Sequence, residues 1–154
     1  MSDKPNILYL HSHDTGRYVQ PYGYHVLTPN IQLLADQGIL FREAFSAASS
    51  CSASRASFVT GQYPHSNGML GLAHRGFRVF DYGHHVVHAL RGAGYFSQLI
   101  GEQHITPNED TSILGYDDVT DIPRTNVDTV APAAVEFLRS GPPEPCRCTC
   151  FTLE

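Results

Sequence analysis

Three short groups of residues in this sequence are of the types that bind ions or transfer protons. Each group is predicted to follow a strand or to begin a helix. The groups are His11, His13 and Asp14; Cys51 and Arg55; and His104. A carboxylate with an imidazole suits a divalent cation, and a guanidinium suits a tetrahedral anion. The combination therefore indicates a site for an anionic substrate.

The stretch SSCSASRASFVTG at 49–61 places Cys51 at the start of a predicted helix over 52–61. A helix N-terminus offers free backbone N–H groups and a partial positive charge, which bind anions and favour a thiolate. Arg55, one turn into the helix, can reach the same pocket and bind an oxyanion with two parallel N–H groups. Taken in isolation, Cys51 is also typical of a small buried hydrophobic residue.

Apolar runs and turn residues predict the elements that position these groups. Strands are predicted at 5–10, 39–45, 95–101 and 146–154, and helices at 28–38, 52–61, 82–94 and 127–141. Strands that alternate with helices are typical of an α/β protein with a largely parallel sheet. Ligands of such sheets bind at the carboxyl ends of the strands, so we expect the three groups to converge there.

Composition excludes several classes of partner. The chain has 154 residues, a net charge of −5 and no run of Lys and Arg, which argues against nucleic acid or an anionic membrane as a partner. The apolar run Ile7–Leu10 is too short for a signal-peptide core or a membrane span, so a cytoplasmic location is expected. The length suits one domain.

Histidine and cysteine offer alternative metal sites. Four cysteines occur, and three of them, Cys146, Cys148 and Cys150, crowd the C-terminus in a pattern unlike a disulfide framework. A small Cys/His metal module at this end of the chain is one alternative. His84 and His88 are four residues apart, as in some zinc sites, but no third ligand is evident beside them.

The segment C-S-A-S-R at 51–55 resembles the sulfatase signature, in which Cys and Arg flank a central Pro or Ala and the cysteine is oxidised to formylglycine. The flanking sequence strengthens the resemblance, in order along the chain. The segments are PNILYLHSHDTGRY at 5–18, TPNIQLLADQGILFREAF at 28–45, RASFVTGQYPHSNGM at 55–69 and LRGAGYFSQLIGEQH at 90–104. The resemblance runs over about 5–138, the first part of a usual sulfatase, and is greatest to bacterial sulfatases similar to N-sulfoglucosamine sulfohydrolase.

The resemblance implies an alkaline-phosphatase-like α/β fold, with a mostly parallel sheet flanked by helices. Residues 1–154 would form a single partial N-terminal sulfatase domain, with an atypical tail at 141–154. The implied activity is hydrolysis of a sulfuric ester on a small sulfated sugar or aryl sulfate. A maturase would convert Cys51 to formylglycine, whose hydrate attacks sulfur. The implied cofactor is a divalent ion, Ca²⁺ first, with Mg²⁺ or Mn²⁺ as alternatives.

By motif position, the resemblance also assigns roles to residues. Asp14 matches a metal ligand, and Cys51, once oxidised, would share the ion, with His13 as a further candidate ligand. Arg55 matches the arginine that steadies the hydrate and the metal-site carboxylates. His104 matches the histidine that contacts the substrate or the hydrate.

The sequence departs from the family pattern at three positions. Ala53 stands where Pro is commoner, and His13 stands where many members carry a second Asp. Glu102 stands where Lys is usual, and a carboxylate there would repel sulfate. Further metal ligands of the family come from beyond residue 154. A phosphate or phosphonate monoester hydrolase of the same superfamily and an inactive truncated domain that still binds metal are therefore the alternative functions.

Overall fold

The computed structural model describes residues 4–122 and 126–140, and the backbone of 147–153. Its strands are β1 (Ile7–Ser12), β2 (Phe96–Ile100), β3 (Asp118–Thr120) and β4 (Arg147–Leu153). Its α-helices are α1 (Pro29–Gln37), α2 (Cys51–Thr60), α3 (Pro64–Asn67), α4 (Val86–Gly92) and α5 (Val127–Ser140). Short 3₁₀ turns connect several of them. No helix of this described part is long and apolar enough to cross a membrane, and the cytoplasmic location stays a prediction.

The four strands form one parallel sheet in the order β1-β4-β2-β3. This confirms the prediction of a parallel α/β sheet. The predicted C-terminal strand is also present, and it pairs with β1 on one side and β2 on the other. As a result, β1 and β2 point the same way on either side of β4, and their carboxyl ends lie at one edge of the sheet.

The predicted strand at 39–45 is wrong, because this segment has no regular structure. Its apolar residues at 39–41 fit a strand, but its Phe41 carbonyl accepts a hydrogen bond from the Tyr22 hydroxyl at 2.8 Å instead of joining a sheet. The prediction that the first strand is buried is also wrong, because Leu8 and Leu10 of β1 are 54% and 57% exposed. Strand β3 was not predicted, since three residues are too few to show a pattern.

The predicted helix at 82–94 is broken into a 3₁₀ turn, Tyr82–His84, and helix α4. The break lies at His85, which has an extended backbone (φ −63°, ψ 134°) and caps α4 by accepting a hydrogen bond from the Val87 N–H on its Nδ1 atom at 3.2 Å. His84 and His88 therefore do not share one helix face, and the alternative of a zinc site on such a face is excluded. His84 instead lies in the turn, 3.9 Å from an Asp81 carboxylate oxygen.

Helix α2 lies at the centre of the main hydrophobic cluster. The cluster contains Ala53, Ala56 and Val59 of α2 together with Met69, Ala73, Val79, Ile105 and Leu114. The small residues of α2 let neighbouring chain approach closely: Ser52, itself buried, accepts a hydrogen bond on its hydroxyl from the Ala73 N–H at 3.1 Å. Small side chains in this helix are therefore a packing requirement, and they hold its N-terminus in a fixed place.

Buried His85 makes the stability of this fold depend on pH. Its side chain is 1% exposed, and burial lowers its pKa from 6.5 to about 4; nearby His88 lowers it further, and a hydrogen bond with Gln103 opposes the shift. Between pH 6.5 and about pH 4, the unfolded chain therefore binds a proton at position 85 that the folded chain does not bind. The contribution of His85 to the free energy of unfolding is therefore fully present above pH 6.5 and is lost as the pH drops toward 4.

We expect His85→Asn to remove most of this pH dependence, because Asn cannot protonate yet offers an oxygen to the Val87 N–H. Between pH 7 and pH 4.5 the free energy of unfolding of the native chain should fall by about 2–3 kcal/mol more than that of the variant. Urea unfolding followed by circular dichroism measures both. Exposed His74→Asn is the control and should behave as the native chain. Equal losses in His85→Asn and the native chain would contradict the assignment.

Candidate active site

The three predicted groups meet at the carboxyl edge of the sheet. Strand β1 leads into His13 and Asp14, α2 begins at Cys51, and β2 leads through a glycine to His104. One donor atom each of His13, Cys51 and His104 lies within 4.8 Å of the other two. The structure thus brings the sequence-predicted residues together, while their roles stay predictions.

An open cavity of about 590 Å³ lies beside these residues. It is lined by residues 10–16, at the end of β1 and in the turn after it, by Ser46 and residues 48–51, and by Ser54 and Arg55. The hydroxyls of Ser46 and Ser54 are 2.6 Å apart, which ties the segment before α2 to the first turn of the helix. His104 is outside this lining, but its ring centroid is 5.9 Å from that of His13 in an edge-on arrangement. The cavity is therefore polar and open to a small ligand.

Asp14 and His104 both adopt left-handed backbone conformations, with φ of 53° and 54°. Such values are uncommon for residues other than glycine and are found at functional sites. The Asp14 side chain is 90% exposed, and its Oδ2 atom lies 3.2 Å from Nδ1 of His13. The turn after β1 therefore presents a carboxylate to solvent at the rim of the cavity, with an imidazole directly beside it.

Arg55 is the buried cation of the site, at 8% exposure. Its Nη1 atom donates a hydrogen bond to the Glu102 carbonyl oxygen at 2.9 Å. Its Nη2 atom is also buried and finds no hydrogen-bond partner among the described residues. A buried guanidinium N–H without a partner is costly, so this atom is a ready donor to an anion bound in the cavity.

Two further residues of the site were given no role of their own from sequence, although His11 was grouped with His13 and Asp14. His11 lines the cavity, and burial lowers its pKa, with the charges of Arg55 and His13 adding to the effect; it is therefore neutral near pH 7. Glu102 was noted only as a departure from the family pattern, yet its carboxylate contacts Nε2 of His104. A carboxylate two residues before a histidine at a strand end was the available signal for this pair.

Comparisons with known proteins identify the family to which the chain belongs. A family model described as Sulfatase matches residues 5–144. Human N-sulphoglucosamine sulphohydrolase is 42% identical over 85 residues, which is 53% of this chain and 17% of that protein. N-acetylgalactosamine-6-O-sulfatase of Bacteroides thetaiotaomicron is 33% identical over 153 residues, which is 88% of this chain and 29% of that protein.

The fold is similar to that of a solved structure in complex with its substrate, D-glucosamine-2-N,6-O-disulfate. The TM-score is 0.80 at 20% identity, and the match covers 97% of this chain and 34% of that one. This confirms the predicted alkaline-phosphatase-like fold. The chain spans less than a third of the length of the two curated relatives above. From the family match over 5–144, this chain belongs to the sulfatase family.

Proposed function

We propose that the chain carries the nucleophile-bearing part of a sulfuric-ester hydrolase site, with Cys51 as the precursor of formylglycine. One observation carries the proposal: Cys51 begins α2 in an open cavity that also contains buried Arg55, whose Nη2 atom lacks a partner among the described residues. A sulfate ester presents oxygens of the kind that this N–H and a helix N-terminus bind. Formylglycine, once formed, supplies a hydrated aldehyde as the nucleophile.

Different residues of the chain bind the sulfate group and orient the histidine beside it. Arg55 binds a sulfate oxygen through Nη2 while its Nη1 bond to the Glu102 carbonyl keeps the guanidinium in place. Backbone N–H groups at the start of α2 add to the positive potential at the same position. His104, oriented by the Glu102 carboxylate, is placed to hold a proton at the reacting oxygens.

An oxygen-preferring cation fits the site through Asp14. Its carboxylate is exposed at the cavity rim, and the oxidised side chain at position 51 would offer a second oxygen. Calcium takes six to eight oxygen ligands, so further donors must complete its shell. We propose Ca²⁺ first, with Mg²⁺ or Mn²⁺ as alternatives and His13 beside the ion. When bound, the cation offsets negative charge on sulfate oxygens.

The proposed substrate class is supported by what two similar proteins bind or are named for. One similar protein is named for N-sulfoglucosamine and a similar structure holds a disulfated glucosamine, which supports a small sulfated sugar as the substrate. An aryl sulfate would serve as a test substrate because it presents the same anion. The second partner that the proposal requires is the maturase that oxidises Cys51.

Oxidation of Cys51 is the first test. Coexpressed with a formylglycine-generating maturase, the chain should carry an aldehyde in place of the thiol at position 51, because the C-S-A-S-R segment is intact. Mass spectrometry of the tryptic peptide, with and without hydrazide labelling, detects it. Cys148→Ser should still be converted, whereas Cys51→Ala should give no aldehyde. An unmodified thiol at 51, in cells where a reference sulfatase is converted, would reject the proposal.

Sulfate binding tests the role of Arg55. In Arg55→Lys the charge remains but the two-pronged donor is lost, so affinity for inorganic sulfate should fall at least about tenfold. The variant should also lose about 1.5–3 kcal/mol of stability with the bond to the Glu102 carbonyl. Calorimetric titration and urea unfolding measure the two effects. Exposed Arg42→Lys is the matched control, and sulfate affinity equal in all three proteins would contradict the assignment.

Measurements of turnover distinguish a sulfate-ester hydrolase from a phosphate-ester hydrolase. The converted chain, extended to the length of its relatives, should hydrolyse 4-nitrophenyl sulfate with a higher kcat/KM than 4-nitrophenyl phosphate. Cys51→Ala in the same extended protein is the control for background hydrolysis. The reverse preference would assign a phosphate or phosphonate monoester hydrolase, and no turnover despite a confirmed aldehyde would indicate an inactive domain.

A further inference from the structure

We propose that the unoxidised chain holds a zinc-class ion on Cys51, His13 and His104. This site differs from the oxygen-ligand cation of the proposed function in its ligands and in the ion it selects. It requires the thiol at position 51, and it stands whether or not a maturase ever acts on the chain.

The donor types select the ion. One sulfur and two imidazole nitrogens are the ligands of Zn²⁺ and its borderline neighbours, whereas Ca²⁺ and Mg²⁺ take oxygen. The three donor atoms lie within 4.8 Å of one another. Tetrahedral zinc would bring them to about 3.3–3.6 Å, given bonds of about 2.0–2.3 Å. Side-chain rotations that close the cluster by about 1 Å suffice, and all three side chains are only partly buried.

A second observation supports a cation at this place. Each histidine of the cluster has a carboxylate against one ring nitrogen: Asp14 at His13, with 3.2 Å between Oδ2 and Nδ1, and Glu102 at Nε2 of His104. Carboxylate–histidine pairs of this kind orient the ring and raise its basicity in zinc sites. The thiol and the two histidines therefore form a set of metal ligands, and the two carboxylates orient the histidines.

The charges around the cluster also favour a cation. Glu102 places a carboxylate against His104, and a negative charge beside the cluster attracts a cation. Arg55 lines the same cavity and its charge opposes a cation, but two carboxylates, those of Asp14 and Glu102, lie against the histidines of the cluster. On binding, the Cys51 thiol releases its proton, the sulfur donates an electron pair to the ion, and the N-terminus of α2 stabilises the thiolate. The open cavity leaves a fourth position for water, as in a zinc site that is not structurally closed.

Cobalt binding tests the site. The chain is produced without a maturase, with Cys146, Cys148 and Cys150 changed to Ser so that Cys51 is its one thiol. We expect one Co²⁺ per chain, a thiolate-to-cobalt absorption band, and its loss on addition of Zn²⁺. Cys51→Ser should abolish the band. His104→Gln and Glu102→Lys should each weaken binding at least about tenfold. Exposed His74→Asn is the control and should bind as its parent does.

A second measurement uses the unsubstituted chain and does not depend on the tail variants. Alkylation of Cys51 by iodoacetamide, followed by mass spectrometry of its peptide, should slow at least about tenfold with one equivalent of Zn²⁺ and not with Ca²⁺. Equal alkylation rates with and without zinc, or an unchanged cobalt spectrum in Cys51→Ser, would overturn the proposal. Conversion of Cys51 to the aldehyde is measured separately, so failure of the zinc site leaves the proposed sulfatase function intact, and the reverse also holds.

Discussion

The hydrogen bond from Arg55 to the Glu102 carbonyl is the constraint on which the site geometry depends. It joins α2 to the segment after β2, across 47 residues of sequence, from buried Arg55 to half-buried Glu102. Because Cys51 is one turn before Arg55 and His104 is two residues after Glu102, this single bond brings the thiol to the second histidine. A guanidinium at 8% exposure with one N–H left without a partner among the described residues also keeps positive charge in the cavity. The energy of burying that charge is recovered when an anion binds.

The packing of α2 explains why the residues around Cys51 are so small. Ala53 and Ala56 face the cluster at 2% and 0% exposure, and Ser52 accepts the Ala73 N–H. Larger side chains at these positions would push the helix away from its neighbours and move its N-terminus by more than a catalytic geometry tolerates. The buried small residues Ser52, Ala53 and Ala56 are thus required by the fold, while in the proposed function the thiol and the guanidinium carry the chemistry.

Much of the site could be predicted from sequence because parallel strands share a direction. Once 5–10 and 95–101 were identified as strands, His13 and His104 had to follow carboxyl ends at one edge of a sheet. The pattern did not fix which apolar segments are covered: 39–45 forms no strand, and α1 has no buried residue although Leu33 and Leu34 are apolar. The periodicity of apolar residues shows which face of a helix or strand is apolar. It does not show whether another part of the chain packs against that face. Nor did the pattern reveal the left-handed backbone at Asp14 and His104, since neither residue type requires it.

The two metal proposals differ by a single atom at position 51. With sulfur there, the cluster has two imidazoles and a soft ligand, which favour a zinc-class ion. In the proposed oxidation an oxygen replaces the sulfur. The ligands at position 51 and Asp14 are then both oxygens, which favours an oxygen-preferring cation. The Glu102 carboxylate at His104 serves in both states, because orienting a ring for a metal and orienting it for proton transfer need the same contact. Asp14 orients His13 in the first state and binds the ion in the second. Under these two proposals, the oxidation state of the side chain at position 51 decides which ion this edge of the sheet binds.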